Sequence, residues 1–542
     1  MSNARPLLYW LGLMVLALLG WSHLGQPVPL PDVPAGRYQC LSYAPFRDGQ
    51  VPYDPHLVIP RWQIEEDLAI LAPLTECVRT YSATQGLGET VPVAAKHGLK
   101  VLLGTWIGPE KEANSRQIKA TLEAAATHPE TVRGIVVGNE VLLRRELSAA
   151  QLIEVLKEMR AGTRLPVTYA DVWDFWLKNP QIADHVDFLT IHILPYWEDE
   201  PVGVEQALHH VQSILEKMRA AFPGRTILVG ETGWPSGGRS RREAVPGVVE
   251  QARFVREFIA LTNRQAMPYN LIEAFDQPWK RFQEGTVGGT WGLFDAARKV
   301  KFPLTGPVSP LPKWPLPMAL GGLFSLIMVG YFSGQDLSRW RWLALCGWGH
   351  LTGGAFFWRG HQVVQSSQNL ADWMLGSAGM VLMLVAAFSL VPLLGRTDGP
   401  WSRALPLGLR EVRARWLGGW RQSMAPEERV GLILGSVWAL FLVSAAMTAL
   451  AMVMDGRYRD FPTTLYLVPA LAFGVRWLLL KSLPRGTMEA WLGLLLTGCV
   501  VAGIVIELPT NREAMVWYGV VLLMSGPLLG MIGKSVTGLS FR

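Results

Sequence analysis

Beyond Trp314 the chain becomes a series of long apolar runs broken by short loops that carry arginine. In lipid such a run is stable only as a helix, because every backbone N–H and C=O must find its partner within the segment. Seven candidate spans fall near residues 315–333, 342–359, 370–394, 430–454, 462–480, 489–507 and 514–533. A further apolar stretch, Leu7–Leu24, follows Arg5 and is interrupted only by Ser22 and His23. No small-x-small cleavage site comes after it, so it reads as an uncleaved anchor rather than a signal peptide. Residues up to about 312 hold most of the Asp, Glu and Lys, in the mixture a soluble domain shows. The expected layout is an anchor over 1–25, a globular domain over 26–305, a Pro-rich linker over 306–314 and a bundle of about seven helices over 315–542.

The loops between the runs differ in charge. One set carries Arg339 and Arg341, then Arg396, Arg403, Arg410, Arg413, Arg415, Arg421 and Arg429, then Lys481 and Arg485, then Lys534 and Arg542. The alternate set carries only Arg359, Arg457, Arg459 and Arg512. Positive loops stay cytoplasmic, which puts both chain ends inside and the globular domain outside an inner or plasma membrane. The same bias accounts for much of the net charge of +6, so no nucleic-acid partner is expected. His350, His361 and Asp372 near span ends read as interfacial residues, with a polar pathway as the alternative.

Four cysteines are too few for a disulfide scaffold or a structural zinc site. Cys346 and Cys499 lie in apolar runs. Cys40 and Cys77 lie in the globular domain, where they either pair in an oxidising compartment or remain reduced and buried.

From Arg37 onward, short β-branched runs alternate with amphipathic stretches. The expected strands are Tyr38–Tyr43, Cys77–Tyr81, Lys100–Thr105, Gly134–Gly138, Val167–Ala170, Phe188–His192, Ile227–Gly230 and Leu271–Phe275. Helices are expected over Arg61–Leu71, Gln117–Ala126, Ala149–Met159, Val204–Ala221 and Val248–Leu261. Eight strands alternating with helices across about 270 residues make an α/β fold of the (β/α)8 barrel type, followed here by an all-α membrane bundle. A doubly wound sheet would need a switch-point signal, and no G-x-G-x-x-G or P-loop follows the first strand. No cofactor and no metal are expected.

Barrel chemistry sits at the C-terminal ends of the strands. That rim comprises Tyr43, Tyr81, Trp106, Asn139 with Glu140, Asp171, His192, Glu231 and Asp276. Glu140 and Glu231 each close an apolar strand and approach one point from two sides. Two carboxyl groups across a glycosidic bond give retention at about 5–5.5 Å and inversion at about 6.5–9.5 Å. Sugar rings stack on aromatic side chains, and Tyr196, Trp197, Trp234, Phe275, Trp279 and Trp291 all follow expected strands.

At these residues the chain resembles glycoside hydrolase family 17, the β-1,3-glucanase and β-glucan transferase family. The resemblance rests on Val137-Gly138-Asn139-Glu140-Val141, Gly230-Glu231-Thr232-Gly233-Trp234-Pro235-Ser236 and Glu273-Ala274-Phe275-Asp276-Gln277-Pro278-Trp279-Lys280. Val78-Arg79-Thr80-Tyr81-Ser82 and Trp291-Gly292-Leu293-Phe294 also fit, and the match covers about residues 37–303. It implies the same barrel, with Glu140 as acid/base, Glu231 as nucleophile, Asn139 on the sugar 2-hydroxyl and Lys280 as a supporting group. Tyr43, Tyr81, His192, Tyr196, Trp234, Phe275, Asp276 and Trp279 complete the expected substrate contacts. Plant-type members carry acidic residues where this chain has Gln277 and Gly288, and a tyrosine where it has Leu194. The arrangement is similar to bacterial membrane-bound members known as β-(1→6)-glucan synthases. The largest cytoplasmic loop, 395–429, is too small to hold a nucleotide-sugar glycosyltransferase. The expected function is therefore transglycosylation between β-glucans, with hydrolysis as the alternative and a non-enzymatic glucan-binding or export accessory as a third class. The expected partners are β-glucan, membrane lipid and a separate glucan synthase or exporter.

Overall fold

A computed structural model describes all residues except 1–4, 34–36, 419–423, 483–485 and 538–542, together with the side chains of 530–537. The loop charges Arg421, Arg485 and Arg542 and the side chain of Lys534 lie outside the described residues. The chain forms two compact units, Pro27–Val308 and Met1–Gln26 with Ser309–Arg542. Helix α1 (Arg5–Leu24) belongs to the second.

The Pro27–Val308 unit is a closed barrel of eight parallel strands. They are β1 (Leu41–Ser42), β2 (Cys77–Arg79), β3 (Lys100–Thr105), β4 (Val132–Asn139), β5 (Val167–Val172), β6 (Leu189–His192), β7 (Ile227–Thr232) and β8 (Tyr269–Leu271). Around them run α2 (Arg61–Leu71), α3 (Thr90–Lys96), α4 (Lys111–Thr127), α5 (Ala149–Gly162), α6 (Trp173–Lys178), α7 (Val204–Ala221), α8 (Val248–Gln265) and α9 (Arg281–Gly288). Helix α5 begins where Ser148 and Gln151 form a reciprocal capping box, which satisfies backbone donors that a helix start leaves bare.

Strand alternation separates two apolar layers. Val101, Leu103, Ile135, Val137, Leu189, Ile191 and Val229 pack outward with the helices, in a cluster that includes Leu68, Leu156, Val211 and Phe258. Their neighbours Leu102, Val136, Ala170 and Leu228 form a small separate cluster with Cys40 and Cys77, which fills the barrel interior. Those two cysteines are joined by a disulfide between chain positions 37 apart. Closing a loop of that length stabilises the fold by about 4 kcal/mol on the chain-entropy model.

The last strand departs from the expected Leu271–Phe275. The regular strand is Tyr269–Leu271, beyond which single hydrogen bonds run from the Ile272 N–H to the Thr232 carbonyl and from the Ala274 N–H to that of Ser42. Phe275 instead forms an isolated parallel bridge with Phe294 and packs in the core against Phe294 and Tyr43.

The second unit holds α10 (Pro315–Phe332), α11 (Arg339–Ser366), α12 (Leu370–Leu394), α13 (Pro400–Arg403), α14 (Leu409–Gly418), α15 (Pro426–Asp455), α16 (Thr463–Leu479), α17 (Thr487–Glu507) and α18 (Arg512–Thr537). Five helices among the described residues (α1, α10, α12, α15 and α17) are long and apolar enough to cross a membrane. Helices α10 and α11 approach through small residues: a Cβ on Gly349 would sit 2.6 Å from Ser325 Cα, and one on Gly353 would sit 2.7 Å from Gly321 Cα. Small residues four apart on each partner are how apolar helices pack without a hydrophobic driving force. Arg476 of α16 is buried, donating to the Ser389 carbonyl at 2.7 Å, to that of Trp401 at 2.8 Å and to that of Ala404.

Candidate active site

Two glycines prepare the site. Along β4 the pairing runs Val136 with Thr168 and then Asn139 with Ala170, so β4 holds one extra residue there. Gly138 absorbs it at φ 83°, a backbone region where a Cβ is costly. Along β7, Val229 pairs with Ile191 and Glu231 with His192, so Gly230 is again the extra residue. A bulge re-aims the side chain that follows it. Asn139 and Glu231 are thereby turned to the barrel mouth, with Glu140 next in line at φ 55°. A glutamate in that conformation is strained, as residues at functional sites often are.

The centre of the site is Arg79, whose side chain is 1% exposed. Its Nη1 donates to Glu231 Oε1 at 3.1 Å and to the Gly230 carbonyl at 2.8 Å, while Nη2 donates to Asn139 Oδ1 at 2.6 Å. Nη1 also lies 3.3 Å from His192 Nε2. Arg79 can only donate, so this nitrogen accepts, and the proton of a neutral His192 sits on Nδ1. There it points at Glu140 Oε1, 2.8 Å away. Arg79 therefore ties both glutamates into one network, directly to Glu231 and through His192 to Glu140.

Tyr81, two residues beyond Arg79, completes the cradle. Its hydroxyl lies 2.8 Å from Glu231 Oε1 and 2.8 Å from Ser42 Oγ. The phenol has one proton, which the carboxylate takes, so the serine donates to Tyr81 and itself accepts from Asn270 Nδ2 at 2.7 Å. Burial by itself would raise the Glu231 pKa. His192 when charged, Arg79, Lys280 and the Tyr81 hydroxyl outweigh it and hold the carboxyl below its ordinary value.

Glu140, His192 and Glu231 each bring one donor atom within 4.8 Å of the others, the one such group among the described residues with the donor types of a metal site. The Arg79 guanidinium, in contact with two of them, already supplies positive charge there and opposes a divalent cation.

A second charged layer stands beside the first. Lys280 Nζ lies 2.9 Å from both oxygens of Glu273, whose carboxyl burial pushes up to about 7. Glu284 lies in the field of Lys280, Glu140 and Glu231, and burial raises its pKa. Its carboxylate takes the space beside Gly288, where a Cβ would be 2.7 Å from Oε2. Gln277 is buried, donates to the Ala44 carbonyl at 2.9 Å and accepts the Trp279 indole N–H at 2.8 Å. Trp279 is partly exposed and meets Tyr53 edge-on at 5.7 Å.

Of the residues expected at the site, Asn139, Glu140, Tyr81, His192, Glu231 and Lys280 converge. Four aromatic residues do not: Tyr43, Tyr196, Trp234 and Phe275 are at most 1% exposed. Tyr43 is bonded to Asp67 at 3.2 Å, Tyr196 to the Arg239 carbonyl at 2.5 Å and Trp234 to the Val245 carbonyl at 2.9 Å. They follow strands, as expected, but turn into the core. Asp276 is likewise held by Lys301 at 2.5 Å, with the Gly292 N–H donating to it at 2.9 Å. Arg79, Ser42, Glu273 and Glu284 were not anticipated as site residues. The legible signal for Arg79 is a charge inside an apolar strand, two residues from Tyr81 and hence on the same face.

Residues 40–292 match the model of the BtgE/BtgC glycoside hydrolase domain. The barrel is similar to that glycoside hydrolase domain, and the match takes in all eight strands. Among curated relatives, a glucan 1,3-beta-glucosidase of Schizosaccharomyces pombe is 29% identical over 264 residues, covering 44% of this chain and 79% of that protein. One of Saccharomyces cerevisiae is 27% identical over 272 residues, covering 44% and 84%. The glucan endo-1,3-beta-glucosidase btgC of Emericella nidulans is 27% identical over 271 residues, and the chain spans only 41% of its length. Among solved structures, a family 17 beta-1,3-glucanosyltransferase of Rhizomucor miehei is 22% identical with a TM-score of 0.43, covering 50% of this chain and 98% of that one. The match falls on the barrel, and the helical unit lies beyond it.

Proposed function

We propose that this family 17 barrel is a retaining transglycosylase that cleaves β-1,3-glucan and passes the glycosyl unit to a second glucan. The observation that carries the proposal is the separation of Glu140 and Glu231, whose nearest carboxylate oxygens lie within 4.8 Å. Oxygens that close suit direct attack of one carboxylate on the sugar, the retaining arrangement.

Glu231 is the nucleophile. It is 6% exposed, is held by Arg79 and Tyr81, and is kept ionised by the charges that lower its pKa. Glu140 is the acid/base. Its side chain is 21% exposed, open to the leaving and incoming groups with which it exchanges a proton. In the first step Glu140 protonates the glycosidic oxygen, the C1–O bond breaks, and a Glu231 oxygen bonds to C1. In the second, Glu140 takes the proton of the acceptor hydroxyl, whose oxygen displaces Glu231 from C1. With Asn139 Oδ1 held by Arg79, the amide N–H groups face outward as donors for a sugar 2-hydroxyl. The links formed are β-1,6 or β-1,3.

The hydrolytic reading differs only in water taking the acceptor's place, and the names of the curated glucosidase relatives favour it. Incubating the purified full-length chain with laminari-oligosaccharides separates the two: longer or branched products support transfer, and shorter products alone reject it. Glu231→Gln should abolish both outcomes. Five apolar helices and the arginine-rich loops support a multi-pass inner-membrane protein with the barrel outside, acting on glucan delivered by a separate synthase or exporter.

A further inference from the structure

We propose that helix α14 forms a binding site for the headgroup of an anionic phospholipid, at the end of the bundle where α15 and α17 begin. The proposal goes beyond the reaction of the barrel and rests on the reading that the bundle crosses a membrane.

One face of α14 is docked. The Leu409 N–H donates to Glu489 Oε1 at the start of α17 at 2.6 Å, and Trp416 Nε1 donates to Ser436 Oγ of α15 at 3.0 Å. Arg415 pairs with Glu428 at 3.3 Å, and Val412 is buried. Gly431 and Gly435 let the preceding strand of chain lie close on α15: a Cβ on Gly431 would be 2.8 Å from the Leu405 carbonyl oxygen. The helix is thus fixed across the ends of two candidate spans, with its axis and facing determined.

The opposite face is chemically specific. Arg410, Arg413, Ala414 and Leu417 fall at i, i+3, i+4 and i+7, a single stripe, and all are exposed. Together with Met488 of α17 they line an open surface depression of about 450 Å³. Neither Arg410 nor Arg413 has an ion-pair partner among the described residues. The intervening Glu411 accepts from the Gly408 N–H at 3.2 Å. Two guanidinium groups one turn apart match a phosphate diester, which accepts from both. Leu417 is 75% exposed and Trp491, one turn beyond Met488, is 71% exposed, so an apolar surface continues from the charged end along the bundle. A charged head over an apolar tail is the outline of a phospholipid, which free phosphate would satisfy only in part.

The test uses the full-length chain in dodecylmaltoside micelles containing phosphatidylglycerol or phosphatidylcholine, with the unfolding midpoint followed as lipid is added. We expect phosphatidylglycerol to raise the midpoint at lower concentration than phosphatidylcholine. The double variant R410Q/R413Q should weaken the phosphatidylglycerol response roughly tenfold or more, while R410K/R413K keeps part of it. Arg339→Gln, a charge change at another helix start, should leave the preference intact. A preference absent from the wild type, retained in R410Q/R413Q or lost in Arg339→Gln would overturn the site. Carbonate-resistant sedimentation with membranes separates this failure from that of the membrane reading: a chain that sediments yet shows no preference sinks only the site.

Discussion

At the level of single residues, Arg79 has the largest leverage for its size. It neutralises Glu231, fixes the Asn139 amide and sets the His192 tautomer, all from one buried planar group. Lysine cannot reproduce that fork. Arg79→Lys should therefore lower kcat/KM about 10- to 100-fold, the worth of one or two charged hydrogen bonds. The pH profile gives a sharper reading. Arg79 is among the groups that hold the Glu231 carboxyl low, so weakening its grip raises that pKa. The acid limb of kcat/KM should move to higher pH in the variant, and an unmoved limb would show that Arg79 does not set the ionisation of Glu231.

This scale also shows where sequence reading stops. Position along a strand is legible, because two glutamates closing apolar runs are visible as such. Rotation about the chain after the strand is not. Trp234 comes three residues after Glu231, yet the turn at Gly233 sends it inward to Tyr196 and Phe254, with ring centres 6.0 and 5.9 Å away. A count from the strand end cannot distinguish a stacking platform from a core residue. The departure at Gly288 has its meaning only in three dimensions, since the Glu284 carboxylate reaches the space beside Gly288 from elsewhere in α9.

At the level of elements, legibility followed periodicity. Helices α2 and α7 begin and end where the apolar spacing says, at Arg61–Leu71 and Val204–Ala221. Strand ends were less legible, because β4 and β7 continue through their bulges, and a bulge has no periodic signature beyond its glycine. The Gly230 bulge makes a direct prediction. A Cβ there would collide with Thr190 Cγ2 and come within 3.3 Å of the His192 ring. Gly230→Ala should cost about 1–3 kcal/mol, the usual penalty of overpacking. Adding Thr190→Ser removes the colliding methyl while keeping a hydroxyl for Thr168, 2.9 Å away. Denaturant unfolding should show the double variant more stable than Gly230→Ala alone; equal stabilities would mean that Thr190 is not the obstacle.

For the whole molecule, buried acids dominate the response to pH. Burial lifts Asp67 and Glu273 to about 7 and Asp171 to about 6. Their ordinary values are 3.8 for Asp and 4.5 for Glu, so between these ranges the folded chain holds protons that the unfolded chain has released. Stability from these groups is present at low pH and is lost as pH rises through about 6 to 7. Glu231 acts with the opposite sign, but only below its ordinary 4.5. The thermal midpoint of the full chain should accordingly fall as pH rises from 5 towards 7, other groups being equal, and Asp171→Asn should flatten the part below about 6. A midpoint rising across that interval would show that these acids are not raised on folding. The broad architecture was legible at this scale too, since alternating β and α patterns and long apolar runs are properties of whole segments.

The two bulges also separate what can drift from what cannot. The distance between the two central carboxylates is set by hydrogen-bond register inside the barrel wall, while the rim around it is carried on connections such as those holding Tyr53, after β1, and Trp279, after β8. Loops accept insertions and exchanges far more readily than a strand ladder does. A lineage carrying this barrel can therefore change what the mouth grips while the spacing of its two central carboxylates passes on unaltered.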